Sequence, residues 1–289
     1  MALYAFDGTG NEDEEFDTNA LEFFRAFQDP RKNDDPAKPL GSLYLKGIGT
    51  RARTRTGDLI AEKWGLGGHR RVREALDRLE NNQAAGDTDI HVVGFSRGAA
   101  LALSFANEIA HKYLGLKVGF VGLFDVVGQF GLPGPTINAG HDLRRPPTAS
   151  RICHAMALDE SRLFFPLTRL SRDGVADPQL VEVWFRGVHS DVGGGNNNRS
   201  VNWVALHWMF QEAIRYGLPI DPAAVAANLA TRVDPMQISD HKFDAERPRA
   251  IRATDILHAT VQLGQGIAGR PHNNPTLTLR RIDDAGVIS

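Results

Sequence analysis

Residues His91–Ala106 read HVVGFSRGAALALSFA. His91 to Phe95 is short and apolar, the pattern of a buried strand. Ala99 to Ala106 is rich in alanine and leucine, the composition of a helix. Between them, Gly94-Phe95-Ser96-Arg97-Gly98 matches G-x-S-x-G. In that motif the serine sits on a sharp strand-to-helix turn with its hydroxyl above the sheet. A Cβ at position 94 or 98 is expected to collide with a neighbouring strand or helix as the chain reverses. The following helix directs its free N–H groups at the serine and favours developing negative charge. Ser96 is therefore the candidate nucleophile, and the backbone N–H of Arg97 is a candidate oxyanion donor.

The rest of the chain alternates between strand and helix patterns around this stretch. Leu3–Phe6 reads as a strand running into Asp7-Gly8-Thr9-Gly10-Asn11, a polar glycine-rich loop suited to presenting N–H groups. Gly8 or Thr9 is thus expected to supply the second oxyanion donor. Asn19–Phe27 reads as an amphipathic helix and Ser42–Lys46 as a second strand, followed by a loop with arginines at 51, 53 and 55. Gly65–Glu80 reads as a loop entering a helix with Val72, Ala75, Leu76 and Leu79 on one face. His69, Arg70, Arg71 and Arg73 make its start basic, which opposes the helix dipole and raises the expectation of an anion there. Val118–Phe124 is an apolar strand ending at Asp125. The Gly- and Pro-rich stretch Gly128–Pro147 is too long for a bare connection and reads as a loop over the site. Arg151–Phe165 shows helical patches, and Val181–Val188 is the last clear strand, delivering His189-Ser190-Asp191 and three glycines. Val201–Tyr216 reads as a helix with Ser200 as its N-cap, stopped by Gly217 and Pro219. Beyond Ala230 the sequence turns polar, with a weak helical patch at Ile256–Leu263. The expected organisation is a catalytic domain over 1–230 and an appendage over 231–289 packed on it.

Composition narrows the chemistry. The 289 residues are 42% hydrophobic and 24% charged, enough for a substantial core. The net charge of −2 gives no electrostatic case for nucleic acid. A single cysteine, Cys153, excludes an internal disulfide and a multi-cysteine zinc site. The N-terminal MALYAFDGTG carries no basic or long apolar region, so no Sec-type signal is expected. No apolar run approaches the length of a membrane span.

Alternating strands and helices predict an α/β fold, a mostly parallel sheet with helices on both faces. Sites in such folds form outside the carboxyl ends of the strands. Asp7, Ser96, Asp125 and His189 all fall at expected strand ends. Serine needs a base, histidine is the natural one, and the histidine needs a carboxylate to fix its tautomer. The order Ser96, Asp125, His189 is that of α/β-hydrolases. Asp191 competes with Asp125 for the third place, while Asp191 and Asp7 are equally suited to holding their own turns. Two further readings remain open at this level: a metal-dependent hydrolase with Asp7, Asp125, His189 and Asp191 as hard ligands, and a non-catalytic hydrolase-fold binding module.

Six blocks together resemble one family. They are Phe6-Asp7-Gly8-Thr9-Gly10-Asn11, Tyr44 with Gly47-Ile48-Gly49-Thr50, Gly94–Ala99, Phe124-Asp125-Val126-Val127-Gly128, Ala157-Leu158-Asp159-Glu160, and Trp184–Gly195. Their pattern is similar to bacterial and fungal α/β-hydrolases that include the type VI secretion phospholipase effectors. Lys46 stands where that pattern has an acidic residue, and Arg186 where it has a proline. The resemblance implies an α/β-hydrolase fold, a Ser96–Asp125–His189 triad, an acyl-enzyme and no cofactor. It implies a lipid, phospholipid or small ester substrate, with membrane-surface contact. It further implies an immunity or secretion-apparatus protein as partner, and a cytoplasmic location or export by a signal-independent route such as type VI secretion.

Overall fold

The computed structural model describes residues 1–8, 16–47, 57–128, 140–173, 175–232, 236–239, 246–261, 273 and 279–289. Thr9, the acidic run 12–15, the arginine-rich loop 51–55 and residues 129–139 of the expected covering loop lie outside them.

The strands are β1 (Ala2–Phe6), β2 (Leu43–Leu45), β3 (Ile90–Phe95), β4 (Val118–Phe124), β5 (Ala149–Ala157), β6 (Leu180–Phe185), β7 (Ile256–His258) and β8 (Arg280–Ile282). They form one sheet in the order β2-β1-β3-β4-β5-β6-β7-β8, and every pairing is parallel. The helices are α1 (Asn19–Ala26), α2 (Gly57–Ala84), α3 (Ser96–Lys112), α4 (His189–Gly193), α5 (Arg199–Arg215) and α6 (Pro222–Ala230).

The strand period of two sorts side chains into two cores. Leu3 and Ala5 of β1 join Val93, Phe95, Phe120 and Phe124 against Phe23 of α1 and Trp208 and Met209 of α5. Tyr4 and Phe6 point the other way, with Val92 and Val121, against Leu76 and Leu79 of α2 and Leu103 and Phe105 of α3. Helices on both faces bury both sides of the central strands, so those strands are mostly apolar.

No helix forms within Arg151–Phe165, where the sequence shows helical patches; Arg151–Ala157 belongs to β5, the fifth of the eight strands in the sheet. Its Ile152, Cys153, Ala155, Met156 and Ala157 are buried, and a strand buried on both faces shows no alternation. In the expected helical patch at Ile256–Leu263, Ile256–His258 forms the three-residue strand β7, paired with β6; residues 262 and 263 lie outside the described residues. With β8 it extends the sheet past the last strand evident from sequence. α2 begins at Gly57 and not beyond Gly65, so Arg70 and Arg71 lie within it. Their guanidinium groups both pair with Glu74 at 2.9 Å. Asn198, not Ser200, occupies the N-cap position of α5. Gly217, with φ +79°, closes that helix as expected. The all-parallel sheet sharpens the expectation of a mostly parallel one.

The tight turn from β3 to α3 has a definite requirement. A Cβ on Gly98 would stand 2.3 Å from the Phe6 carbonyl oxygen and 2.4 Å from that of Asp7. Both neighbours are backbone, so neither moves without displacing β1. Gly98→Ala is expected to destabilise the fold by at least about 1–3 kcal/mol, the range for overpacking. Thermal unfolding of the variant checks this, and a wild-type melting temperature would contradict the packing described.

Candidate active site

Three crossover loops bring Ser96, Asp125 and His189 together at the carboxyl edge of the sheet. Ser96 begins α3 directly after β3 and adopts φ +57°, a left-handed conformation rare for a residue with a Cβ. Such strain costs on the order of 1–3 kcal/mol and persists only where the surroundings impose it. Asp125, directly after β4, is the other non-glycine residue with positive φ among those described, at +43°. The Val127 N–H donates to the Ser96 carbonyl at 3.2 Å, tying the two turns together. The Val126 N–H donates to Nε2 of buried His154 at 3.2 Å, and His154 Nδ1 donates to Glu182 at 3.0 Å.

His189 opens the short helix α4. Its Nε2 lies 2.8 Å from Ser96 Oγ, and its Nδ1 lies 2.6 Å from Asp125 Oδ2. An ionised carboxylate only accepts, so Nδ1 carries the proton and Nε2 accepts from the serine hydroxyl. The imidazole lies between the rings of Phe95 and Phe165, with centroids 4.7 and 4.8 Å away. Its backbone N–H donates to Glu160 Oε2 at 3.1 Å. Asp159 accepts from the Gly187 N–H at 2.6 Å and pairs with Arg186 at 2.9 Å. The Ala157–Glu160 block thus holds the chain that delivers the histidine. Arg186 gains its buried partner within the motifs themselves, whereas Lys46 pairs with Asp34 in solvent. Gly193 lets this turn close onto the elbow, because a Cβ there would stand 1.8 Å from the Phe95 ring.

Asp125 is fully buried and its carboxylate makes four bonds. Oδ1 accepts from the Ala157 N–H at 2.8 Å and from Arg249 Nη1 at 2.7 Å. Oδ2 accepts from Arg249 Nη2 at 2.9 Å and from His189. Burial alone would raise the carboxyl pKa, but the Arg249 charge and the bonds from His189 and Arg249 hold it well below the usual range. For His189 burial dominates and lowers its pKa below 6.5, against the opposing pull of Asp125.

The supporting acids act elsewhere. Asp7 accepts from Thr18 Oγ1 at 2.8 Å, from Tyr44 Oη, and from the Gly8 N–H at 2.6 Å. Asp191 accepts from the N–H groups of Val188 and Ser239 at 3.2 and 2.9 Å, from Asn196 and Asn198 at 3.0 and 3.1 Å, and from Ser239 Oγ. Both hold turns. Among the described residues, no three His, Cys, Asp or Glu side chains group as metal ligands, and Asp125 faces a guanidinium on both oxygens. Gly8 lies beside Ser96, its notional Cβ 3.2 Å from that of the serine, yet its N–H is engaged by Asp7. Arg97, at the first turn of α3, presents an N–H that the helix itself does not use.

Arg249 escaped sequence reading. It lies 124 residues from Asp125, in a polar stretch with no motif of its own. The roles of Asp159, Glu160 and His154 were equally hidden, although the first two sit in a recognised block.

Comparison with known proteins bears on this geometry. The family model "T6SS, Phospholipase effector Tle1-like, catalytic domain" matches residues 3–116 and 106–212. The chain belongs to this family. The Tle1-like match is the one the six blocks implied. An uncharacterized protein from Pseudomonas aeruginosa shares the fold, with a TM-score of 0.54 and 21% identity over 78% of this chain and 47% of that one. The structure of the Tle1 effector bound to the VgrG spike aligns with a TM-score of 0.49 and 23% identity, over 70% of this chain and 52% of that one. An uncharacterized protein of Saccharomyces cerevisiae is 40% identical over 53 residues, 17% of this chain and 8% of its own length. The chain thus spans about half the length of its solved relatives. Among the described residues, no helix of this Tle1-like chain is long and apolar enough to cross a membrane.

Two expectations follow from the geometry. A base acts only when neutral, so a lowered His189 pKa extends activity toward acid. The acid limb of kcat/KM on a short activated ester is expected below pH 6.5, and a limb above pH 7 would contradict the burial of His189. Asp125→Asn is expected to lower kcat by about 10⁴. It also strips Arg249 of its counter-charge, so a stability loss of about 3–5 kcal/mol is expected as well. Asp191→Asn is expected to act mainly on stability, at about 1–3 kcal/mol. Parallel kcat and thermal unfolding measurements separate the two variants.

Proposed function

We propose that this chain is a serine hydrolase of carboxylic esters in lipids or phospholipids, working through an acyl-enzyme. The unbroken path from Ser96 Oγ through His189 to Asp125 carries this reading, together with the left-handed serine. Membership of a phospholipase effector family supports the substrate class.

Ser96 Oγ attacks the ester carbonyl while His189 Nε2 takes its proton. Asp125 keeps the Nδ1 proton in place and stabilises the imidazolium as it forms. The tetrahedral oxyanion faces the Arg97 N–H and the positive end of α3. Collapse breaks the bond to the leaving alcohol, which receives the proton from His189. Water then attacks the acyl-enzyme with His189 again as base, releasing the fatty acid and restoring the Ser96 hydroxyl. Thr9 remains the second donor consistent with the motif, since the Gly8 N–H is engaged. Residues 231–289 are proposed to belong to the same folding unit. A secretion-apparatus protein and an immunity protein are the partners that the family implies.

A hydrolysis screen over p-nitrophenyl esters, triglycerides and phospholipids tests the reading. Ser96→Ala is expected to lower turnover by about 10⁶ in a folded protein. A fluorophosphonate should label wild-type protein stoichiometrically at Ser96. Retention of more than a few per cent of activity by Ser96→Ala, or absence of the label, would overturn it.

A further inference from the structure

The carboxylate of Asp125 has about four lone-pair sites, and all four are filled. Half of them are filled by one residue, Arg249, from the polar C-terminal segment. A fork–fork pair of this kind fixes the plane of the carboxylate as well as its charge. Arg249 is itself locked. Its Nη1 donates to the Ala157 carbonyl at 2.9 Å and its Nη2 to that of Phe165 at 3.0 Å. Its backbone N–H donates to Asn273 Oδ1 at 2.6 Å. Asn273 in turn donates to the carbonyls of Leu158 and Glu160, at 2.7 and 2.9 Å. The C-terminal segment therefore grips both Asp125 and the block that holds the His189 backbone.

We propose that Arg249 is a positioning residue of the hydrolytic centre, orienting Asp125 toward His189 and sharing that carboxylate's charge with the imidazole. This rests on the Ser96 hydrolase reading above. The groups around His189 make the electrostatic effect specific. Asp125 meets Nδ1, Ser96 meets Nε2, and the tilted Phe95 and Phe165 rings pack against the imidazole. Glu160 meets the backbone N–H and is itself paired with Arg162 at 2.6 Å. Asp191, on the same short helix, is committed to its turn, and Asp159 to Arg186. The Arg249 charge lowers the proton affinity of His189, opposing Asp125 and Glu160. Removing it leaves Asp125 to hold the imidazolium more tightly, with the carboxylate plane fixed only by the Ala157 N–H and His189.

The test is the rate of fluorophosphonate labelling of Ser96 across pH for wild type, Arg249→Met and Arg249→Lys, with circular dichroism as the check on folding. For Arg249→Met the acid limb is expected to move up by about one pH unit, in line with loss of a nearby charge. Its plateau rate should fall about 10–100-fold through misplacement of the base. Arg249→Lys retains charge but not the fork. It should keep the wild-type acid limb and still lose plateau rate. A purely structural role predicts an unmoved limb. If wild type labels at Ser96 and a folded Arg249→Met matches it in limb and plateau, the proposal is overturned while the hydrolase reading stands. If Arg249→Met does not fold, a folded Arg249→Lys with the wild-type plateau overturns it. Absence of Ser96 labelling in wild type removes the hydrolase reading and this proposal together.

Discussion

A carboxylate removed from water must be compensated on the spot, and Asp125 is fully buried. The architecture around the site meets that requirement. β5 supplies the Ala157 N–H, α4 supplies His189, and the C-terminal segment supplies Arg249. Each donor comes from a different part of the chain, so the carboxylate joins three regions that the sheet alone would leave independent. Its left-handed backbone is imposed from the same directions, since Val126 is held by His154 and Val127 by Ser96.

The elbow imposes a complementary constraint. Ser96 stands in a conformation disfavoured for its side chain, and close packing of Gly98 on β1 keeps it there. Gly193 carries the histidine turn down onto Phe95 of the same elbow. Ser96 and His189 are thus located by backbone-to-backbone and backbone-to-ring contact. That leaves their side chains to meet at hydrogen-bond distance without long flexible supports.

The acidic residues around the site divide by partner. Asp7 and Asp191 sit among neutral hydroxyl, amide and N–H donors and stabilise loops. Glu160 and Asp159 pair with arginines and fix the approach to His189. Asp125 alone combines a cation with the histidine. Asp191, two residues from His189, competes with Asp125 as its partner in sequence, yet its oxygens accept from Val188, Asn196, Asn198 and Ser239 instead.

The local sequence determined the strand–elbow–helix unit, the apolar strands β1, β3, β4 and β6, and the residues Ser96, Asp125 and His189, because each depends on short-range pattern or on a motif with fixed spacing. β5 was not legible: Ser150, Arg151 and His154 interrupt the apolar run by which the doubly buried β1, β3 and β4 are recognised. The strands β7 and β8 are as short as β2 but, unlike it, lie in a polar stretch with no motif beside them. Arg249 was hidden for a further reason. Its role is set by a partner 124 residues away, and nothing in its own neighbourhood distinguishes it from a solvated arginine. Only the folded chain, by bringing that guanidinium against a carboxylate with no access to water, decided which of the 33 lysines and arginines stands behind Asp125.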